Sequence, residues 1–245
     1  NQQMWAHAAT RENIRVLTSR DIQIIGPDAG EQACGDVGPG RLLEPEAIVA
    51  AVNARFESRL LEGRLVVITA GPTMETIDPV RYLSNHSSGK MGFALAGACA
   101  EAGAQVELIS GPVHLDAPNR VTLHPVISAT EMCEQAMALS AGADVFIGAA
   151  AVADYRPETT SAEKIKKSGG APLTLTLVEN PDIITCVAQS ASRPSMVVGF
   201  AAETESPMDH AREKRQRKGL DMIIANDVSD PDTTFGSEQN AVHLI

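Results

Sequence analysis

Aromatic residues are scarce in this 245-residue chain: they make up 3% of it, as one Trp, two Tyr and five Phe. This scarcity argues against an aromatic platform of the kind on which single-stranded nucleic acids stack. Positive charge is also in short supply, since 20 Lys and Arg face 31 Asp and Glu, for a net charge of -11. Such a surface repels nucleic-acid backbones and anionic membranes, so we expect neither as a partner.

Long hydrophobic stretches are missing too. No run approaches the ~20 apolar residues that a membrane-spanning helix needs, and the opening NQQMWAHAATREN lacks the pattern of a signal peptide. The four cysteines lie far apart without a CxxC pair, so we expect neither a zinc site nor a disulfide framework. These absences predict a cytoplasmic protein. The hydrophobic share of 44% predicts one large domain, or one domain with an appendage.

From Leu65 onward the sequence alternates short apolar runs with amphipathic stretches. The runs are LVVITA (65–70), QVELIS (105–110), DVFIGA (144–149), SMVVGF (195–200), LDMIIA (220–225) and AVHLI (241–245), and helical patterns cover 90–103, 129–141, 182–191 and 208–218. Strands that are apolar throughout are buried on both faces, and their alternation with helices indicates a parallel sheet. We predict an α/β fold, Rossmann-like and doubly wound, with a mainly parallel sheet and helices on both faces. Ligands of such sheets bind beyond the carboxyl ends of the strands.

Residues 1–56 follow another pattern. They contain a helix-prone start, a predicted strand near 21–27, a glycine-rich loop ACGDVGPGR (33–41) and a helical pattern over 44–58. One strand and two helices cannot enclose a core by themselves, so we interpret this part as the tail of another domain. The predicted organisation is a tail at 1–58, a linker at 59–64 and a main domain at 65–245.

The segment after the first strand of the main domain, GPTMETIDPVRYLSNHSSGKMG (71–92), ends at the start of a helix. Ser87, Ser88 and Gly89 suit a helix start, whose exposed amides and dipole form an anion site; an ordinary capped helix is the alternative. The segment is not a P-loop, because Ser84 stands where the first glycine belongs and Met91 follows Lys90. It also lacks G-x-G-x-x-G, which weakens a dinucleotide-binding hypothesis.

The third strand leads into GAAAVADYRP (148–157) and then EKIKKSGG (163–170). Small residues after the strand allow a flat group to approach the backbone, and Asp154 could accept ligand hydrogen bonds or bind a metal. Tight packing is the alternative for the alanines. The three lysines beside two glycines are typical of a solvated loop, or of a mobile flap that closes over an anionic substrate.

The six lysines fall into three clusters. Lys214 and Lys218 are four residues apart in REKRQRK and so share a helix face; a solvated, charged surface helix is the alternative. Because each cluster follows a predicted parallel strand, we expect all three to converge on one edge of the sheet. That edge would attract a triphosphate nucleotide and a second, phosphorylated substrate, with magnesium held by phosphate oxygens and one carboxylate at most.

Six motifs, in order, closely resemble the bacterial phosphopantothenoylcysteine synthetase family. They are DPVRYLSNHSSGKMG (78–92), AAVADYRP (150–157), EKIKK (163–167), NPDI (180–183), GFAAET (199–204) and AND (225–227). In bacteria this synthetase is fused behind a phosphopantothenoylcysteine decarboxylase. The resemblance implies a ligase that activates 4'-phosphopantothenate with CTP to an acyl-cytidylate, releasing pyrophosphate, and then couples cysteine and releases CMP. The preference for CTP over ATP is implied by the resemblance alone.

The resemblance also implies residue roles. Asn85 would hold the acyl-cytidylate and Lys164 would stabilise the charge of phosphoryl transfer. The nucleotide pocket, with Lys164 at its flap, would consist of Gly148, Ala149, Ala150, Asp154, Pro181, Asp182, Ile183, Ile184 and Phe200, with Lys214 and Lys218 on the phosphates. For the pantothenate side the candidates are Arg81, Ser87, Ser88, Gly89 and Lys90. The metal would be Mg2+ or Mn2+, held mainly by CTP phosphates and by Asp154; its other ligands are not identified.

The tail resembles the end of the flavin-dependent decarboxylase. NQQMW is similar to the end of its substrate clamp, so Asn1 would contact the substrate carboxylate, and ACGDVGPGR is similar to its acid-bearing loop, so Cys34 would be the proton donor. The family's upstream flavin-binding sequence and catalytic His are not in this sequence. We therefore expect FMN not to be bound here, and this chain alone not to decarboxylate.

Family members dimerise through the synthetase domain and form higher oligomers through the decarboxylase, which implies a homodimer here. The family usually continues beyond the last strand, so we expect the main domain to be truncated at its C-terminus. Two other functions stay open: an NAD(P)-dependent oxidoreductase on a Rossmann-like sheet, and a non-catalytic nucleotide-binding module.

Overall fold

The computed structural model describes residues 1–32, 35, 37–56, 59–167, 169–170, 172–203, 207–227 and 242–245. The chain divides into two compact units, Asn1–Glu57 and Ser58–Ile245. Each helix in the described ranges falls short of the length and apolar character that a membrane crossing requires. The two units differ in the number of apolar side chains that they bury.

The first unit contains three helices and a small antiparallel hairpin. Its elements are α1 (Gln2–Ala6), α2 (Ala8–Thr18), β1 (Asp28–Glu31), β2 (Val37–Arg41) and α3 (Pro45–Phe56), with β1 paired to β2. The expected strand near 21–27 is wrong: Gly26 has a φ of 85° and Pro27 carries no N–H, so the strand begins only at Asp28. Among the described residues, every fully buried apolar side chain lies at position 66 or later, outside this unit.

The second unit is built on a seven-stranded sheet. Its strands are β3 (Leu65–Ala70), β6 (Gln105–Ser110), β7 (Val121–Pro125), β8 (Val145–Gly148), β11 (Met196–Glu203), β12 (Met222–Asp227) and β13 (Val242–Leu244). They are ordered β13-β12-β11-β8-β3-β6-β7. All neighbouring strands are parallel except the antiparallel pair β12–β13. The predicted Rossmann-like, mainly parallel sheet is confirmed.

Helices cover both faces of this sheet. They are α4 (Lys90–Glu101), α5 (Ala129–Ser140), α6 (Ile183–Ala188) and α7 (Pro207–Lys218). Phe93 of α4 packs with Ile68 on one face, whereas Met132 of α5 and Val187 of α6 pack with Phe146 on the other. Both faces of the inner strands, such as β3 and β6, are therefore buried, which is why their sequences are apolar without alternation.

Two antiparallel hairpins, which the apolar pattern does not predict, lie outside the main sheet. One pairs β4 (Met74–Asp78) with β5 (Arg81–Ser84), and the other pairs β9 (Tyr155–Pro157) with β10 (Leu177–Glu179). A backbone bridge between Pro72 and Ala151 joins the segment after β3 to the segment after β8. The polar motifs singled out in the sequence are thereby attached to the carboxyl edge of the sheet.

Two glycines of α4 provide a matched test of how tightly that helix contacts the sheet. A Cβ on Gly92 would lie 2.5 Å from the Cβ of Ala70 in β3, whereas a Cβ on Gly97 would make an ordinary 3.6 Å contact with Pro118. We expect Gly92→Ala to lower the free energy of unfolding by about 1–3 kcal/mol, because α4 must move away from β3 to make room for the added methyl group. Gly97→Ala should raise it by about 0.5–1 kcal/mol through helix propensity. Urea unfolding of both variants checks the pair; equal effects would contradict the close approach.

Candidate functional site

A cavity of about 490 Å³ opens at the carboxyl ends of β8 and β11, beneath α6 and α7. It is lined by Thr69, Phe146, Gly148, Ala150, Val152, Ala153, Asp154, Tyr155, Glu179, Asn180, Pro181, Asp182, Ile183, Ile184, Gly199, Phe200, Lys214, Lys218 and Leu220. Ten of the predicted nucleotide-pocket residues are in this set; Ala149 and Lys164 are not. The cavity is large enough for a nucleotide-sized ligand.

Two paired glycines form part of the cavity wall. Gly148 of β8 is the register partner of Gly199 of β11. A Cβ on Gly148 would lie 3.0 Å from the Cδ1 of Ile184, and a Cβ on Gly199 would lie 2.9 Å from the same atom. The Ile184 side chain thus packs directly on the backbone of both strands and fills the space that a side chain at either glycine would occupy. Gly199 is missing from the sequence prediction, although it occurs in the GFAAET motif.

An ion pair stands at the end of the cavity where α6 begins. The Nζ of Lys218 lies 2.7 Å from the Oδ2 of Asp182, and the Lys218 side chain is only 17% exposed. Asp182 also caps α6 by accepting a 3.3 Å hydrogen bond from the Thr185 amide. Burial alone would raise the pKa of Asp182, but the hydrogen bonds from Lys218 and Thr185 outweigh it and lower the pKa. Asp182 is therefore ionised at neutral pH.

Asn180 holds together the loop that carries Asp154. Its Nδ2 donates to the Ala153 carbonyl at 2.9 Å, and its backbone N–H donates to the Asp154 carbonyl at 2.8 Å. The Nη1 of Arg156 in turn donates to the Oδ1 of Asn180 at 3.1 Å. Asp154 itself is exposed and lines the cavity. Asn180 is missing from the predicted site residues, although it is the first residue of the NPDI motif.

Asn85 lies at the edge of the cavity without lining it. Its Nδ2 donates a 2.9 Å hydrogen bond to the carbonyl of Val152, a lining residue. The same loop is fixed one residue further on, where the Ala153 amide donates to the Oγ1 of the fully buried Thr73 at 2.9 Å. The Asn85 amide therefore contacts the wall of the cavity through the Val152 carbonyl.

The predicted anion site at the start of α4 has the expected backbone form. Gly89 is the N-cap residue with a φ of 77° and no side-chain cap. The Oγ of Ser87 accepts from the Gly89 amide at 3.3 Å, and the Oγ of Ser88 accepts from the Lys90 amide at 3.5 Å. None of these four residues lines the cavity. The structure therefore brings only the third lysine cluster, Lys214 and Lys218, to the cavity wall.

Arg81 lies on the hairpin β4–β5 and its guanidinium is engaged. It forms an ion pair with the buried Asp78 and donates from Nη2 to the Ile165 carbonyl at 2.9 Å. Lys164, the neighbour of Ile165, is exposed. The hairpin and the predicted flap are therefore in direct contact.

The two predicted decarboxylase residues belong to the first unit. Asn1 caps α1 by accepting from the Met4 amide at 2.9 Å, and Cys34 lies outside the described residues. Within the parts of the chain that the structure describes, no three His, Cys, Asp or Glu side chains group as a metal site. Three carboxylates line the cavity, those of Asp154, Glu179 and Asp182, and Asp182 is the one held in the ion pair with Lys218.

Two family models match the chain. The model described as DNA/pantothenate metabolism flavoprotein C-terminal domain matches residues 61–245, and the model described as Flavoprotein matches residues 1–57. The first of these includes every residue of the cavity.

The chain is similar to several curated proteins named coenzyme A biosynthesis bifunctional protein CoaBC. It is 53% identical over 248 residues to the protein from Escherichia coli and 51% identical over 246 residues to that from Vibrio parahaemolyticus. These alignments cover 100% of this chain but 61% and 62% of the relatives, so the chain spans less than two thirds of their length. Among solved structures, the crystal structure of the C-terminal domain of CoaBC is similar, with 37% identity and a TM-score of 0.64, over 76% of this chain and 83% of that chain.

Proposed function

This chain belongs to the family of the DNA/pantothenate metabolism flavoprotein C-terminal domain, and from that premise we propose that it is a cytoplasmic, CTP-dependent phosphopantothenate–cysteine ligase of coenzyme A biosynthesis. The observation that carries the proposal is the cavity at the carboxyl ends of β8 and β11, which combines a wall of small and apolar residues with Lys214 and Lys218. A flat base and a polyphosphate need those two features together.

The proposed reaction has two steps. A carboxylate oxygen of 4'-phosphopantothenate attacks the α-phosphorus of CTP, the bond to the β-phosphate oxygen breaks, and pyrophosphate leaves. The amine of cysteine then attacks the acyl carbon of the acyl-cytidylate, loses a proton, and displaces CMP. The first step brings two anions together, so cationic side chains are needed to lower the repulsion.

In this proposal the cytosine ring packs against the apolar part of the cavity wall, where Ile184 covers the paired glycines. The other pocket contributions come from Ala149, Ala150, Asp154, Pro181, Asp182, Ile183 and Phe200. Lys214 and Lys218 bind the phosphates, and Lys218 does so by exchanging Asp182 for a phosphate oxygen. The choice of CTP rather than ATP is a proposal that rests on the family resemblance.

The acyl side of the reaction is assigned to the hairpin edge. Asn85, next to the cavity wall, donates its amide to the acyl oxygen, and Lys164 stabilises the charge that develops during nucleotidyl transfer. Arg81, Lys90 and the turn of Ser87, Ser88 and Gly89 are proposed to bind 4'-phosphopantothenate. The positive φ of Gly89 and the long hydrogen bonds from the Gly89 and Lys90 amides to Ser87 and Ser88 are compatible with a phosphate that replaces these hydroxyl acceptors.

Magnesium or manganese fits the donors at the cavity. Mg2+ in proteins is commonly held by one or two carboxylates together with substrate phosphates and water, and Asp154 supplies one exposed carboxylate. The ion would neutralise phosphate charge when bound. Asp154 is the residue of this chain that we propose to hold it.

We further propose that residues 1–58 are the C-terminal part of an FMN-dependent decarboxylase domain that converts the ligase product to 4'-phosphopantetheine in the complete parent protein. The match of residues 1–57 to the Flavoprotein model supports this assignment. Asn1 would contact the substrate and Cys34 would donate the proton there. The linker at 59–64 and the domain at 65–245 complete the proposed organisation.

A homodimer through the second unit is also proposed. Large apolar side chains are exposed on both hairpins, namely Val80 and Tyr82 beside β5, and Tyr155 and Leu177 on β9 and β10. Exposed apolar groups that cluster on a surface are typical of protein–protein contacts.

A pyrophosphate-release assay tests the ligase proposal. With Mg2+, 4'-phosphopantothenate and CTP, we expect this chain to release pyrophosphate before cysteine is added, and to release CMP only after cysteine is added. ATP in place of CTP should give a much lower rate. CTP binding without pyrophosphate release would instead favour a nucleotide-binding module, and tight NADPH binding without CTP binding would favour an oxidoreductase.

A further inference from the structure

We propose that Asp78 is a positioning residue: through Arg81 and the backbone of Ile165 it fixes the middle of the segment 163–167, which carries Lys164. This inference rests on the proposed ligase function. Asp78 is not among the residues that line the cavity, and its side chain acts on the reaction only through the segment that it holds.

Asp78 is almost fully buried, at 1% exposure, at the end of β4. Its Oδ1 accepts from the amides of Val80 and Arg81, each at 2.9 Å. Its Oδ2 accepts from the Nε of Arg81 at 2.9 Å and from the Ile165 amide at 3.1 Å. Two of these bonds shape the turn of the hairpin, but the bond to Ile165 spans 87 positions of sequence. The carboxylate thus serves a distant segment as well as its own turn.

Asp78 and Arg81 together bond both backbone polar groups of Ile165, and this pair of hydrogen bonds is called the grip. The Ile165 amide donates to Asp78, while the Ile165 carbonyl accepts from the Nη2 of Arg81 at 2.9 Å. One ion pair therefore satisfies both backbone polar groups of a single residue. Because Lys164 is the next residue in the chain, this grip restricts the position of its Cα.

The residues just before this point are tied to the same strand. The Ser161 amide donates to the Ile77 carbonyl at 3.0 Å, and the Oγ1 of Thr160 donates to the Thr76 carbonyl at 3.3 Å. Within 163–167, Ile165 is partly buried and the other four residues are exposed. Within the segment, both backbone polar groups of Ile165 are bonded to the Asp78–Arg81 pair, and the Glu163 carbonyl accepts from the Oγ of Ser161 at 2.6 Å.

The charge of Asp78 persists over the working pH range. The hydrogen bonds from Arg81 hold the pKa of Asp78 well below its usual range, against the opposing effect of burial, with further help from the amides of Val80 and Ile165. A lowered pKa means that the ionised carboxylate stabilises the fold above the usual Asp pKa, and that this contribution is lost as the pH falls below it. We therefore expect the protection of the Ile165 amide against exchange to be constant between about pH 5 and pH 9.

Amide hydrogen exchange of the full chain, read at Ile165, tests the grip without any substrate. Asp78→Asn keeps an acceptor for the hairpin turn but removes the charge that binds Arg81 and Ile165. We expect the Ile165 amide to exchange at least about tenfold faster in this variant, because a charge-assisted hydrogen bond is lost. The kcat of pyrophosphate release should fall by at least about tenfold while the KM for CTP changes by less than about threefold.

Asp144→Asn is the matched control. Asp144 also joins an arginine to a backbone amide, since it accepts from the Nη1 of Arg64 at 2.7 Å and from the Leu65 amide at 2.9 Å. This variant should lower the stability yet leave the Ile165 exchange rate and kcat unchanged. If Asp78→Asn does not fold, Ile165→Pro removes the same donor and leaves the Asp78–Arg81 pair intact; it should lower kcat in the same way.

The outcomes separate the two proposals. Unchanged Ile165 exchange in Asp78→Asn, or a loss of kcat no larger than in Asp144→Asn, would overturn the positioning role. Absence of pyrophosphate release from the unaltered chain would overturn the ligase function, and would leave the exchange result to decide whether Asp78 holds the segment.

Discussion

Replacing Lys164 with alanine is expected to lower the kcat of pyrophosphate release at least ~100-fold, because removing a charged group aimed at a developing oxyanion costs several kcal/mol of transition-state stabilisation. The KM for CTP should change by less than about threefold, since a group that acts mainly in the transition state contributes little to ground-state binding. Lys164 is exposed and lies next to the anchored Ile165. Its loss should therefore leave the fold intact.

Lys167→Ala is the control for Lys164→Ala, because Lys167 is equally exposed in the same segment and has the same charge. Its kcat should remain within a factor of about three of the unaltered chain if specific placement, rather than the total charge of the segment, matters. Single-turnover measurements with CTP and 4'-phosphopantothenate give the rate of the first step directly. If Lys164→Ala kept that rate within a factor of a few, the role assigned to the segment would be wrong.

Asn85→Ala should be nearly as damaging as the loss of Lys164. The Nδ2 of Asn85 donates to the Val152 carbonyl in the cavity wall, which places the amide beside the proposed acyl group. Loss of a side chain that positions a reacting group typically lowers the rate by roughly 100-fold, here the rate at which the acyl-cytidylate forms. We expect this loss in formation of the cysteine adduct, together with disappearance of the acyl-cytidylate from quenched reactions analysed by mass spectrometry.

Two further variants sharpen the test of Asn85. Asn85→Asp has the same shape but replaces the donor with a carboxylate, so it should be as inactive as Asn85→Ala. Asn119→Ala removes an exposed asparagine that does not line the cavity and should keep full activity. Accumulation of acyl-cytidylate in Asn85→Ala, above the level in the unaltered chain, would mean that Asn85 serves the attack by cysteine instead.

The apolar strands of the central sheet could be predicted from sequence because each is buried on both faces. Residues 65–70 and 105–110 were predicted with the bounds that β3 and β6 have. β7 was not predicted, because it is a sheet-edge strand that exposes most of its side chains and ends in Pro125. The hairpins β4–β5 and β9–β10 also escaped prediction, since short polar strands form through tertiary contacts rather than through local preference.

The cavity was partly visible in the sequence for a different reason. Motif resemblance identified Asp182 and Lys218, which the structure joins in one ion pair. It did not identify Asn180 or Gly199, because their roles depend on which loop and which strand each one meets. It also could not reveal that Arg81 donates to the Ile165 carbonyl, because these two residues are 84 positions apart in the sequence.

The Asp182–Lys218 pair has a consequence for product release. In the absence of nucleotide the cavity carries its own counter-ion, so a phosphate that binds Lys218 replaces one anion with another instead of meeting a bare cation. Breaking the Asp182–Lys218 pair offsets part of the free energy gained when a phosphate binds Lys218. Re-forming the pair offsets part of the cost when that phosphate leaves. In the proposed ligase, Asp182 would return to Lys218 as pyrophosphate leaves, so that the pair would compete with the product and limit product inhibition.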